Sequence, residues 1–106
     1  MERMEHIKSM LAAEPKDEFL HYAMAQEYQK NEQYQEAIEW YNKLKELNPD
    51  YVGLYYHLAE CLAKSGAKSE AMGVYDQGIE VAARLQDLHA LSELKNARLN
   101  LEMDLT

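Results

Sequence analysis

Apolar and polar positions along this chain recur with the period of helices that bury one side. Between Asp17 and Lys30 the apolar residues Leu20, Ala23, Met24 and Tyr28 keep that spacing, and Asp17 stands where a helix N-cap belongs. Asn31-Glu32-Gln33 breaks the pattern. A second helix is predicted from about Tyr34, with Ala37, Ile38, Tyr41, Leu44 and Leu47 on one side. Asn48-Pro49 ends it, because proline lacks an N–H and disfavours helical backbone in the residue before it. A second pair follows the same plan with Ser65-Gly66 in its turn, where Gly66 suits the left-handed position just past a helix end. No proline follows Val81, so this pair's second helix is predicted to run on to Arg84 or Leu85. Beyond it the pattern leaves two readings. Either Asp87 caps a separate last helix carrying Leu88, Leu91, Leu94, Leu99 and Leu101, or one continuous helix bends at Gln86-Asp87. Those leucines occupy more than one side of a helical wheel, which suits a broad core contact or a surface for a second chain.

The two pairs are copies of one unit. Leu20 and Leu54, Tyr22 and Tyr56, Met24 and Leu58, Ala25 and Ala59, Tyr28 and Leu62, Ala37 and Ala71, and Tyr41 and Tyr75 all lie 34 residues apart. The register extends upstream, pairing Ile7 with Tyr41, Met10 with Leu44 and Pro15 with Pro49. Ala25 with Ala37, and Ala59 with Ala71, place small residues where paired helices can approach closely. A period of this size marks stacked helical hairpins, each burying its apolar face only against its neighbours.

The spaced residues His21, Met24, Ala25, Tyr28, Ala37, Tyr41 and Pro49 resemble the tetratricopeptide repeat. Their counterparts Tyr55, Leu58, Ala59, Leu62, Ala71 and Tyr75 do so again, with Ala83 in place of the second closing proline. The resemblance covers Glu18 to about Leu85, and Glu2 to Pro15 as the second half of an earlier repeat. It implies an all-α fold of about six antiparallel helices in a short right-handed solenoid. Residues 1–106 would then form one domain: an N-terminal half-repeat at 2–15, repeats at 18–51 and 52–85, and a capping helix at 87–105.

The resemblance also implies a function, since in this family the first helix of each hairpin lines a concave groove that holds peptides. Carried over, the groove residues are Phe19, Tyr22, Gln26, Gln29 and Lys30 from the first repeat, and Gly53, Tyr56, His57, Glu60 and Lys64 from the second. Tyr22 and Tyr56 share one groove position, and a tyrosine's ring and hydroxyl suit a peptide contact. The plainer reading is that these rings pad the seam between helices. A subclass of the family clamps the carboxylate end of chaperone tails with Lys and Asn. Its basic positions fall here on Tyr22 and, in the last segment, on nothing basic, and its asparagines on Gln26 and His57. The clamp is therefore absent.

Charge narrows the partner. With 19 acidic and 11 basic residues the net charge is −8, which repels a phosphate backbone, and no Lys/Arg cluster reverses it locally. Nucleic acid is not expected, and a basic or apolar polypeptide fits better than an acidic one. The single cysteine, Cys61, cannot form an internal disulfide, so the fold needs no oxidising compartment. Met1-Glu2-Arg3-Met4-Glu5-His6 carries charges where a signal peptide is apolar, and no apolar run approaches the ~20 residues of a membrane span. The expected location is the cytoplasm, with no membrane partner.

Candidate chemistry is thin. His57, Glu60 and Cys61 could share a face but fall short of the four ligands of a structural zinc, and Cys61 reads better as a small core residue. There is no phosphate-cradling glycine loop, nucleophile elbow or metal-binding histidine pair. His6, His21 and His89 are scattered, and Glu32, Glu36 and Glu39 read as a solvated helix face. No enzymatic activity, metal or cofactor is expected. Trp40 reads as partly buried against the preceding hairpin or as a convex-side contact. The function expected is a protein-interaction adaptor that holds a peptide or protein segment in its groove. The alternative is a module that self-associates into a homo-oligomer through its Leu-rich C-terminal helix.

Overall fold

A computed structural model describes residues 2–104. The end of the expected capping segment, Leu105, lies outside the described residues, as do Met1 and Thr106. The described residues form six α-helices and no strand: α1 (Glu2–Ala13), α2 (Glu18–Lys30), α3 (Tyr34–Leu47), α4 (Gly53–Lys64), α5 (Lys68–Leu85) and α6 (Leu88–Met103). This is the all-α helical repeat fold. Backbone contacts sort the chain into two compact units, Met1–Tyr51 with α1 to α3 and Val52–Thr106 with α4 to α6.

In the first unit the helix ends follow from local chemistry. Asp17 Oδ1 accepts from the Leu20 N–H at 2.9 Å, satisfying one of the donors a first helical turn leaves open. α2 stops in a left-handed turn at Glu32 (φ +60°). There the Gln33 N–H donates to the Tyr28 carbonyl and the Glu32 N–H to that of Gln29, the paired bonds of a Schellman motif. α3 stops at Asn48, which is extended ahead of Pro49. The Asn48 side chain then ties the hairpin shut: its Nδ2 donates to Glu18 Oε1 at 3.0 Å, and its Oδ1 accepts from the Asp50 N–H at 3.0 Å.

The core of this unit joins Met4 and Ile7 of α1 to Leu20, Ala23 and Met24 of α2, with Leu11, Tyr28 and Trp40 packed against them. Trp40 thus takes the partly buried place, its ring 5.6 Å from that of His21 and the Lys43 ammonium 4.2 Å from its centroid. His21 is buried, and its Nδ1 lies 2.8 Å from the Asp17 carbonyl. A carbonyl can only accept, so Nδ1 carries the proton. Ala25 and Ala37 are fully buried, which leaves only methyl groups between α2 and α3 at those positions.

The second unit repeats the hairpin. At its turn Gly66 (φ +89°) takes the left-handed place, with the Ala67 N–H donating to Leu62 and the Gly66 N–H to Ala63. Glu32 therefore occupies, 34 residues earlier, a position that the second copy gives to glycine, and a Cβ there costs roughly 1–2 kcal/mol. Glu32→Gly is expected to raise stability by about 0.5–1 kcal/mol in urea unfolding, and a loss instead would contradict this account.

Without a proline α5 continues to Leu85, as the sequence suggests, and a third left-handed turn follows at Gln86 (φ +60°). Asp87 Oδ1 then accepts from the Ala90 N–H at 3.0 Å, so α6 is a separate helix and not a bent continuation. α6 packs on α5 and α4 through Leu94, which is fully buried, while Arg98 pairs with Asp76. Burying one leucine in this way contributes about 1.5–3 kcal/mol. Leu88, Leu99 and Met103, on the other side of α6, stay exposed.

Candidate functional site

Residues three and four apart on a helix share one side. Phe19, Tyr22, Gln26, Gln29 and Lys30 accordingly form a stripe along α2, and Gly53, Tyr56, His57, Glu60 and Lys64 a stripe along α4. On α2, Phe19 is 65% exposed, Gln26 and Lys30 are exposed, and Tyr22 and Gln29 are half-buried. On α4, Gly53, Tyr56, His57 and Glu60 are half-buried and Lys64 is exposed.

The rings explain the intermediate burial. Tyr22 stands edge-on to Tyr41 of α3, with centroids 6.1 Å apart at 65°, and tilts against Tyr51 at 5.4 Å. Tyr41 lies fully buried beneath it and donates its hydroxyl proton to Gln29 Oε1 at 2.6 Å, so Gln29 satisfies a core hydroxyl as well as lining the stripe. Gln26 Nε2 donates to the Tyr22 hydroxyl at 3.1 Å. In the second unit Tyr56 stands edge-on to the buried Tyr75 at 6.4 Å and 72°, and to His57 at 5.4 Å. The 34-residue period is thus expressed as one geometry made twice: a half-exposed tyrosine of a first helix held edge-on by a buried tyrosine of the second. Each half-exposed ring packs the hairpin seam and still presents area to solvent. Tyr51 is the member that sequence reasoning missed; its only local signal is an aromatic residue directly after the Asn48-Pro49-Asp50 turn.

The electrostatics point away from covalent chemistry. Burial pushes the Cys61 thiol up to about 12, with Glu60 adding to the effect and Lys64 opposing it. The thiol is fully buried and protonated, which suits a core residue and not a nucleophile or ligand. Burial lowers His57 below its ordinary value, opposed by Glu60 and Glu93. His6 and His89 are exposed, as are Glu36 and Glu39 on α3, whereas Glu32 belongs to the preceding turn. Among the described residues no three His, Cys, Asp or Glu side chains are grouped to hold a metal ion. None of their helices is long and apolar enough to cross a membrane.

The fold also holds several phenols neutral. Burial, then Tyr56 and Glu60, pushes Tyr75 up to about 12. Burial also raises Tyr22, with Tyr51 adding, and Tyr51, with Glu18 and then Asp17 adding. Below the ordinary values of 9.0 for the thiol and 10.0 for the phenols, folded and unfolded chains are both protonated and nothing is lost. Above them the unfolded chain releases protons that the folded chain retains, so stability falls. The melting temperature is expected to drop steadily from about pH 9 towards 12, less steeply in Tyr75→Phe. A flat profile in that window would contradict the burial of these groups.

The family model described as "Anaphase-promoting complex, cyclosome, subunit 3" matches residues 3–78. The solution structure of a tetratricopeptide repeat domain protein from Salinibacter ruber is similar at 39% identity and a TM-score of 0.79, over 87% of this chain and 94% of that one. The chain belongs to the tetratricopeptide repeat family. A crystal structure of the tetratricopeptide repeat domain protein from Salinibacter ruber agrees, at 40% identity and a TM-score of 0.76, over 82% of this chain and 98% of that one. The type III secretion translocator chaperone SycD of Yersinia enterocolitica shares the fold alone, at 17% identity and a TM-score of 0.86, over 94% of this chain and 70% of that one. No curated protein matches the sequence. The tetratricopeptide repeat fold generally mediates protein–protein interaction, and in this tetratricopeptide repeat protein the first-helix stripes carry the half-exposed rings of Tyr22 and Tyr56.

Proposed function

We propose that this tetratricopeptide repeat protein is an adaptor that binds a peptide or protein segment on the first-helix stripes of α2 and α4, and does no chemistry of its own. The observation that carries the reading is the ring pair made twice, Tyr22 on Tyr41 and Tyr56 on Tyr75, with Phe19 65% exposed on the α2 stripe. Rings already fixed by an edge contact lose little freedom when a ligand covers them, so their burial converts efficiently into affinity. The net charge of −8 favours a basic or apolar segment over an acidic one, and the proposed setting is the cytoplasm. The fold-level likeness to a translocator chaperone agrees with a polypeptide client.

The test is an NMR titration of the isotope-labelled chain with peptides selected from a displayed library. Signals of Phe19, Tyr22, Tyr56 and His57 are expected to shift. Phe19→Ala is expected to weaken binding about fivefold or more without moving the melting temperature, because its ring is mostly in water. Shifts confined to other faces of the helices would overturn the reading.

A specific observation favours a second reading, in which the chain self-associates through α6. Leu88, Leu99 and Met103 lie along one side of that helix and are 73%, 50% and 66% exposed. A solution mass that rises with concentration in the wild type but not in Leu88→Glu would support it, and a constant monomer would remove it.

A further inference from the structure

The α2 stripe begins in a corner that the second copy does not have. Phe19 and Tyr22 share its face, Tyr51 lies 5.4 Å from Tyr22, and Asp17 and Glu18 border the rings. Thirty-four residues on, Asp17, Glu18, Phe19 and Tyr51 become Tyr51, Val52, Gly53 and Leu85, so neither the carboxylates nor the exposed phenylalanine recurs. The repeat scaffold therefore does not account for the corner.

Its charge can be placed. The groups that hydrogen-bond the two carboxylates are neutral: the Leu20 N–H for Asp17 and the Asn48 amide for Glu18. Both acids act on the Tyr51 hydroxyl. Against them stand the exposed Lys16 and the N-terminus of α2, worth roughly half a positive charge. The sum is negative. The faces of the rings are electron-rich as well, so both features attract a cation, while Phe19 offers apolar area beside it.

We infer that the corner of Phe19, Tyr22 and Tyr51, bordered by Glu18 and Asp17, receives an arginine or lysine side chain flanked by an apolar residue of the bound polypeptide. This rests on the adaptor reading and specifies what its first unit recognises. The carboxylates supply the ion pairing, the tyrosine faces the cation–π contact, and Phe19 the cover for the neighbouring apolar residue.

The probes are two short capped peptides, one with arginine between two leucines and one with neutral citrulline in its place, titrated into the labelled full chain. The arginine peptide is expected to shift the signals of Phe19, Tyr22 and Tyr51 and to bind about threefold or more tighter than the citrulline peptide. That preference is expected to shrink in Glu18→Gln, which keeps the acceptor for Asn48, and in the wild type at about 0.5 M salt. Equal affinity for the two peptides, an unchanged preference in Glu18→Gln, or shifts from the arginine peptide that avoid this corner would each overturn the inference. Equal binding at the α2 stripe would do so while leaving the adaptor reading intact. Failure of library-selected peptides at both stripes would remove the adaptor reading itself.

Discussion

Tryptophan at Ala37 or at Ala71 is expected to destabilise the chain by about 3 kcal/mol or more, beyond the usual range for overpacked cores. Both alanines are fully buried and equivalent in the repeat, one on α3 against α2 and the other on α5 against α4. An indole is far larger than the buried methyl group it would replace, so the helices must separate, and contacts such as Tyr41 with Gln29 then lengthen along with the clash. A domain of this size has about 5–15 kcal/mol in total, so either substitution removes a large share. Urea unfolding followed by circular dichroism measures the loss. Ala12→Trp, at an exposed position of α1, serves as the control and is expected to stay within about 0.5 kcal/mol. If Ala37→Trp and Ala71→Trp matched that control, α2 and α3, and α4 and α5, would not approach as closely as described.

That both alanines can be named from the sequence shows which parts of this fold are legible and why. Local chemistry is readable because each signal acts within a few residues. Asp17 and Asp87 cap the helices that follow them, Pro49 stops α3, and Gly66 takes the left-handed turn. The repeat adds long-range information, since a pattern met twice must be satisfied twice. That is how Ala25, Ala37, Ala59 and Ala71 can be assigned to close helix approach and Tyr22 and Tyr56 to one position. What is not legible depends on contacts that the period does not carry. Asn48 reaches back to Glu18 across the hairpin, and Tyr51 meets Tyr22 from beyond a turn; neither is repeated in the second copy. Gln86 has no glycine's preference for its left-handed backbone, so the break between α5 and α6 looks weak in the sequence. Half of the α2 corner was thus visible as groove residues, while the half that supplies its charge and second tyrosine was hidden.

Gly78 belongs to the hidden class, and its substitution should separate two kinds of helical glycine. Gly73 and Gly78 both lie within α5, where propensity alone makes glycine about 1 kcal/mol worse than alanine. A Cβ at Gly73 would meet nothing within 4 Å, so Gly73→Ala is expected to stabilise the chain by about 0.5–1 kcal/mol. A Cβ at Gly78 would lie 2.6 Å from Tyr55 Cβ and 3.2 Å from Leu94 Cδ1. The leucine methyl can rotate aside, but Tyr55 Cβ is fixed to the backbone of α4, so relief requires the α4 and α5 backbones to move apart. Tyr55 and Leu94 are both buried in the core of this unit, and separating the helices loosens the seats of both. Overpacking then outweighs the gain in propensity, and Gly78→Ala is expected to cost about 1–3 kcal/mol, with Gly78→Val costing more. Urea midpoints of the two alanine variants should therefore move in opposite directions. If both rose, the close approach at Tyr55 would be absent in solution, and α6 would owe its place on α5 to Leu94 and the Arg98–Asp76 pair without the tight α4–α5 contact beneath them.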